Sequence, residues 1–133
     1  MFAILAGEAR FISIDGSHQY RDVLWDLRIA NRMLNTRGIV AVDDFLNPVS
    51  LGVTFATCHF LDRCPDLAPF ASITNKLFLS RPFMAETYRQ FIEDRIMADT
   101  DEKSRNFQKG VVGNHRENVE AVLPGCKILA MRM

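Results

Sequence analysis

Apolar residues along the chain alternate between short unbroken runs and stretches spaced by three and four, the pattern of strands alternating with helices. Arg10-Phe-Ile-Ser-Ile14 is a short apolar run that ends in Asp15-Gly16, as a strand buried on both faces does before leaving through a turn. Ser17 then predicts a cap for a helix over about 18–34. Val23, Leu24, Leu27, Ala30, Met33 and Leu34 form its apolar stripe, with Arg21, Asp22, Arg28 and Arg32 off it. Asn35-Thr-Arg-Gly38 closes that helix, Gly38 supplying the permissive backbone. Ile39-Val-Ala-Val42 is a second buried-type strand, again ending in acid at Asp43-Asp44. A strand–helix–strand unit of this length predicts two parallel, neighbouring strands joined by a right-handed crossover.

Beyond it, Asn47-Pro48 predicts a helix start with proline in the first turn, followed by Val49, Val53, Ala56 and Phe60 at helical spacing up to Cys64-Pro65. Runs at 70–73 and 76–79, linked by Thr74-Asn75, predict an antiparallel hairpin at a sheet edge. A helix over 83–97 places Met84, Tyr88, Phe91, Ile92 and Ile96 on one face. From Asp99 to Lys109 the chain turns polar and charged, which reads as a solvated linker. Asn114 with Glu117 predicts a short helix to Leu123, Pro124-Gly125 a turn, and 127–131 a last strand. The division this gives is a partial α/β domain over 1–98 and, over 99–133, a linker, a short helix and an edge strand.

A chain of 133 residues with 48% hydrophobic content has enough apolar mass for a sizeable core. Its formal net charge of zero and scattered Lys and Arg argue against nucleic acid as the partner. No apolar run approaches the ~20 residues that span a bilayer, so no membrane partner is expected. The start lacks a cationic leader. Cys58, Cys64 and Cys126 are odd in number and form no CxxC pair, which with the absent leader predicts a reduced, cytoplasmic protein.

Chemistry concentrates at the strand ends. Ligands of parallel α/β sheets bind beyond the carboxyl ends of the strands, where Asp15, Asp43 and Asp44 fall. Three converging carboxylates repel one another, and a hard cation such as Mg²⁺ would neutralise them and polarise a substrate oxygen. His18, one turn beyond Asp15, carries an imidazole suited to taking a hydroxyl proton. The bland alternatives are that these acids cap the following helices and that His18 is a solvated surface residue. Cys58, His59 and Cys64 make a poor zinc site, because Cys58 and His59 are adjacent on a helix and diverge. Tyr20, Trp25, Phe45, Phe55 and Phe60 read as core and helix-packing groups, and the order of the acids does not suit a phosphoryl-transfer receiver.

Phe11-Ile-Ser-Ile-Asp-Gly-Ser-His-Gln-Tyr20, the helix with Asp26-Leu27, and Arg37-Gly-Ile-Val-Ala-Val-Asp-Asp-Phe45 resemble the fourth strand, following helix and fifth strand of class I S-adenosylmethionine-dependent methyltransferases. The branch most similar is the metal-dependent O-methyltransferases, whose closing hairpin Asn75-Lys-Leu-Phe-Leu-Ser-Arg-Pro82 also resembles. The likeness covers about 10–82, and Arg37-Gly38 departs from a usual Gly-Gly. It implies a Rossmann-like three-layer αβα fold, here the C-terminal half of such a sheet, mostly parallel with an antiparallel edge hairpin. It implies S-adenosylmethionine as cofactor, with Asp15 and Gly16 on the cofactor side, a divalent cation held by Asp15, Asp43 and Asp44, and His18 near a small-molecule substrate.

The family's glycine-rich loop, expected several tens of residues before this segment, has no counterpart: Gly52, Gly110 and Gly113 do not open a strand–helix turn. The expectation is therefore a chain without the usual cofactor pocket, and two functions of different class: methyl transfer to a small hydroxylated acceptor, or a non-catalytic domain acting in self-association or as part of a split protein. A strand over 11–14 lacking one neighbour is an apolar edge. It predicts either a homodimer through that edge, a missing N-terminal half, or cover by the chain's own strand at 127–131.

Overall fold

The computed structural model of the protein describes residues 6–123 and 127–131. The first strand, β1 (Ala9–Ile14), leads into helix α1 (Tyr20–Met33) and back through β2 (Leu34–Val42). β1 and β2 are parallel neighbours, with Phe11 opposite Ile39 and Ile14 opposite Val42. Helix α2 (Leu51–Arg63) follows, then the strands β3 (Ala68–Ile73) and β4 (Lys76–Ser80), helices α3 (Pro82–Ala98) and α4 (Glu102–Val112), a 3₁₀ turn at Arg116–Asn118, and strands β5 (Glu120–Val122) and β6 (Lys127–Met131).

The six strands lie in the order β1-β2-β4-β3-β6-β5. β2/β4, β4/β3 and β6/β5 pair antiparallel, whereas β1/β2 and β3/β6 are parallel. Strands β1, β2, β3 and β6 therefore run one way and β4 and β5 the other, which is the mostly parallel Rossmann-like sheet expected. Alternation along each strand serves two faces. Val40, Val42, Leu77 and Leu79 pack under α1 and α2 with Val23, Leu27, Val53 and Phe60. Phe70, Ala71 and Leu129 pack under α3 and α4 with Ile96 and Phe107. The result is three layers, helices on both sides of one sheet.

Several local expectations are corrected. Ser17 does not cap α1: its hydroxyl accepts from the Gln19 amide at 3.1 Å, and Gln19 holds the cap position. Gly38 does not end the helix either. Leu34 turns directly into β2, drawn by its own complete burial. Register jumps from Ala9 opposite Leu34 to Phe11 opposite Ile39, so residues 35–38 bulge from the ladder. Gly38 sits in that bulge against the backbone, where a Cβ would lie 2.8 Å from the Ala9 carbonyl oxygen. Asn47-Pro48 precedes rather than starts α2. The Asn47 side chain accepts from the Val49 amide at 3.1 Å in a local turn, and the helix begins after Ser50.

The β3–β4 hairpin is not at an edge, because β6 adds to the outer side of β3. Residues 102–112 form α4 where a solvated linker was expected. Asp101 caps it by accepting from the Ser104 amide at 2.9 Å, and Ser104, Phe107 and Gly110 make a buried line along an otherwise charged helix. The helix expected from Asn114 to Leu123 is only the 3₁₀ turn, since Asn114 adopts a left-handed φ of 58° and the chain then enters β5. The 124–125 turn and Cys126 lie outside the described residues. Phe45 and Phe60 are core as expected, but Trp25, Phe55 and Phe91 are exposed. β6 pairs with β3 and β5, not with β1. The chain's own last strand thus leaves the outer edge of β1 without a strand partner among the described residues. No described helix is long and apolar enough to cross a membrane.

Candidate active site

Parallel pairing brings the ends of β1 and β2 together, and the Asp43 amide donates to the Ile14 carbonyl at 2.9 Å. Asp15 leaves the end of β1 exposed to solvent, while Asp43 and Asp44 leave β2 half-buried. One carboxylate oxygen from each lies within 4.8 Å of the other two. Asp44 has a left-handed φ of 58°, a conformation that aspartate tolerates better than most residues.

Other elements close around it. Asn47 Nδ2 donates to Asp44 Oδ1 at 2.8 Å and Asn75 Nδ2 donates to the same atom at 3.3 Å. The Phe45 amide donates to the Asn75 carbonyl at 2.9 Å, docking the hairpin turn on the acidic loop. His18 Nε2 stands 2.9 Å from Asp44 Oδ2, with the imidazole half-exposed. Its main chain is fixed from below, since a Cβ at Gly52 of α2 would run into the His18 carbonyl. Lys76, the first residue of β4, places Nζ 2.6 Å from Asp43 Oδ1. That ion pair gives Asp43 Oδ1, an oxygen shut off from solvent, a close cationic partner.

Lys76 beside Asp43 holds its carboxyl below the usual carboxylate range; partial burial opposes this, and the Asp44 amide adds to it. A carboxylate with a lowered folded pKa stabilises the fold fully above its unfolded value near ~4. That contribution is lost as pH falls below this value and through Asp43's own lowered pKa. In Lys76→Met the Asp43 titration, followed by carboxyl carbon NMR, is expected to move upward and the acid limb of the stability curve to flatten. An unmoved Asp43 titration would show that the pair is not the cause.

All four chemistry-bearing residues read from the sequence, Asp15, His18, Asp43 and Asp44, therefore meet at one end of the sheet. Asp15 and Gly16 also border a cleft of about 470 Å³ that runs along β1 and α1 over Ile12, Ile29 and Met33. Lys76, Asn75 and Asn47 were not foreseen as members. Asn75 reads as hairpin turn and Lys76 as the start of its second strand, whose approach to the acids depends on β4 inserting beside β2, and Asn47 reads as a cap. The soft-metal alternative gains nothing: His59 bonds the Tyr20 hydroxyl through Nδ1, and burial pushes the Cys58 thiol up.

In Rossmann-like α/β sheets, ligands bind beyond the carboxyl ends of the parallel strands, which is where these acids and the histidine lie. A family model described as a methyltransferase domain matches residues 1–45, which takes in β1, α1, β2 and the acidic pair. The likeness supports a methyltransferase domain and methyl transfer in general. The chain has no match among the curated proteins or the solved structures.

Proposed function

We propose that this chain is the acceptor-side part of an S-adenosylmethionine-dependent O-methyltransferase that uses a divalent cation, Mg²⁺ by the hardness of its ligands, and acts on a hydroxyl of a small molecule. The observation that carries the reading is the meeting of Asp15, Asp43, Asp44 and His18 at adjacent strand ends within the stretch similar to methyltransferase domains. The three acids fit a cation: hard oxygen donors, with one oxygen from each within 4.8 Å of the others, and a solvent-shielded Asp43 Oδ1 that already faces the positive charge of Lys76. The rim at Asp15 and Gly16 fits the cationic end of the cofactor, because a carboxylate there attracts its positive charge.

Bound, the cofactor supplies an electrophilic methyl group and the cation polarises the acceptor hydroxyl. The chain's own residues orient the acceptor and move its proton. A neutral His18 that donates from Nε2 to Asp44 leaves Nδ1 as the acceptor atom. A hydroxyl proton taken at Nδ1 makes an imidazolium already seated on the Asp44 carboxylate, which stabilises it. Asn47 and Asn75 hold Asp44 in place for that contact, so orientation is set before substrate arrives. Cys58 and Cys64 are free thiols, in keeping with a reducing, cytoplasmic setting.

A second reading, a non-catalytic domain, is favoured by one observation: Lys76 already supplies a cation to Asp43. Transfer of labelled methyl from S-adenosylmethionine to a panel of small phenols, sugars and hydroxy acids separates the two. Label transfer that needs Mg²⁺ and stops with chelator supports the enzyme; none with any acceptor supports the second reading.

A further inference from the structure

The outer surface where α1 and α2 pack together carries a basic cleft of about 450 Å³. Arg28 and Arg32 reach it from the outward crest of α1, one turn apart, and Arg63 from the last turn of α2. Leu24 and the buried Phe60 form its apolar part, and His59 lines it between them and Arg63. All the lining residues belong to these two helices and the residue that closes α2, so the cleft is complete within the described chain. It lies toward the C-terminal ends of both helices, whereas the acidic cluster lies at the end of the sheet where they begin. The two sites are therefore independent.

The charge of this cleft is unbalanced. Arg28, Arg32 and Arg63 make no ion pair among the described residues. Acids on the surrounding elements do not line it. Asp26 turns toward β1, where its carboxylate borders Gly16, and Asp22 precedes it by one turn on the same side of α1. Asp62 adjoins Arg63 in the chain but lies off the face of α2 that carries His59, Phe60 and Arg63. Asp66 accepts from the Asn31 amide at 3.2 Å. Glu8, exposed beside the Gly7 amide that meets the Arg32 carbonyl, pairs with no base either. A cation in the last turn suits the dipole of a helix, which accounts for Arg32 and Arg63 one at a time. It does not account for Arg28, a turn earlier, or for three like charges sharing one cleft across two helices.

We propose that this cleft binds a small phosphate-bearing anion. Guanidinium groups match phosphate oxygens two at a time and stay charged at every accessible pH, and three of them call for more than one negative charge on the ligand. A Tyr20 hydroxyl that donates to His59 Nδ1 leaves the ring proton on Nε2, a further donor beside the arginines. Clefts of this size take small organic ligands, and Leu24 and Phe60 offer apolar contact next to the charge. Nucleic acid is met by a broad basic stripe. Three bases confined to one cleft, on a chain of zero net charge, fit a small ligand instead.

Calorimetric titration of the chain with pyrophosphate and, separately, with adenosine diphosphate, both without added metal, tests the site. Each is expected to give a saturable heat at millimolar concentration or below. Tighter binding of the nucleotide assigns an organic phosphate, and equal or weaker binding assigns the inorganic one. Arg28→Gln with Arg63→Gln is expected to weaken both by roughly tenfold or more, the loss of charge-assisted hydrogen bonds. Arg10→Gln with Arg37→Gln removes the same charge from another exposed cleft and is expected to leave binding unchanged. In the wild type, pyrophosphate is expected to shift amide resonances over 28–32 and 59–64, a readout that needs no substitution. No saturable heat from either probe overturns the proposal, as do equal affinities in the two double variants or resonance shifts confined to other residues.

Discussion

Leu129→Ala is expected to lower stability by about 3–5 kcal/mol, as removing a buried leucine from a packed core does when the cavity cannot collapse. Leu129 is completely buried in β6, opposite Ala71 of β3, and belongs to the cluster formed with Phe70, Ile96 and Phe107. The backbone around it is held by pairing on both sides, β3 on one and β5 on the other, so little can move to fill the void. Val112→Ala on the exposed side of α4 is the matched control, expected within about 0.5 kcal/mol. Denaturant melts of the two variants, with unchanged slope, measure the difference. Equal effects would mean that residues after Asp99 hang outside the core. A large gap means that the tail completes the second face of the sheet.

That contrast also shows what the sequence made legible. β1, α1 and β2 could be read because their apolar runs and helical stripe are long and uninterrupted, and because each strand ends in acid. α4 could not, because its buried line of Ser104, Phe107 and Gly110 contains a single large apolar residue among charges. Its amphipathicity rests on small residues, which hydrophobic periodicity does not weigh. Gly38 misled for a related reason: a glycine after a helical stripe reads as a helix stop, yet here it is required by close approach to the Ala9 carbonyl. The position of the hairpin was beyond local pattern altogether. Whether β3 stands at an edge depends on β6, which comes some fifty residues after it and joins on its far side.

The site divides in the same way. Asp15, His18, Asp43 and Asp44 are legible because the topology rule for parallel strands sends residues at strand ends to one place. Lys76 and Asn75 arrive through the antiparallel insertion of β4 beside β2, so only the folded sheet brings them to the acids.

Their presence sets the second large expectation. Asp43→Asn keeps the shape of the side chain, removes its charge and leaves Lys76 without its partner. Loss of even an outer partner of a bound cation lowers affinity by roughly 10–100-fold, and loss of a direct carboxylate is expected to reach at least the top of that range. Lys76→Met is expected to act in the opposite direction, because it removes the internal cation that competes for Asp43 Oδ1. Asp15→Asn, exposed and free of the Lys76 pair, should weaken binding without disturbing the fold. Manganese titration followed by electron paramagnetic resonance reads all three. Weakening in both asparagine variants with tightening in Lys76→Met supports a cation site. Four proteins that behave alike would mean that Lys76 is the cluster's permanent cation.

Whether these strand ends serve methyl transfer is tested most directly by calorimetric titration with S-adenosylhomocysteine in the presence of Mg²⁺. A saturable heat that is lost in Asp15→Asn is the predicted result. No heat at millimolar ligand, with the protein folded by circular dichroism, would contradict it.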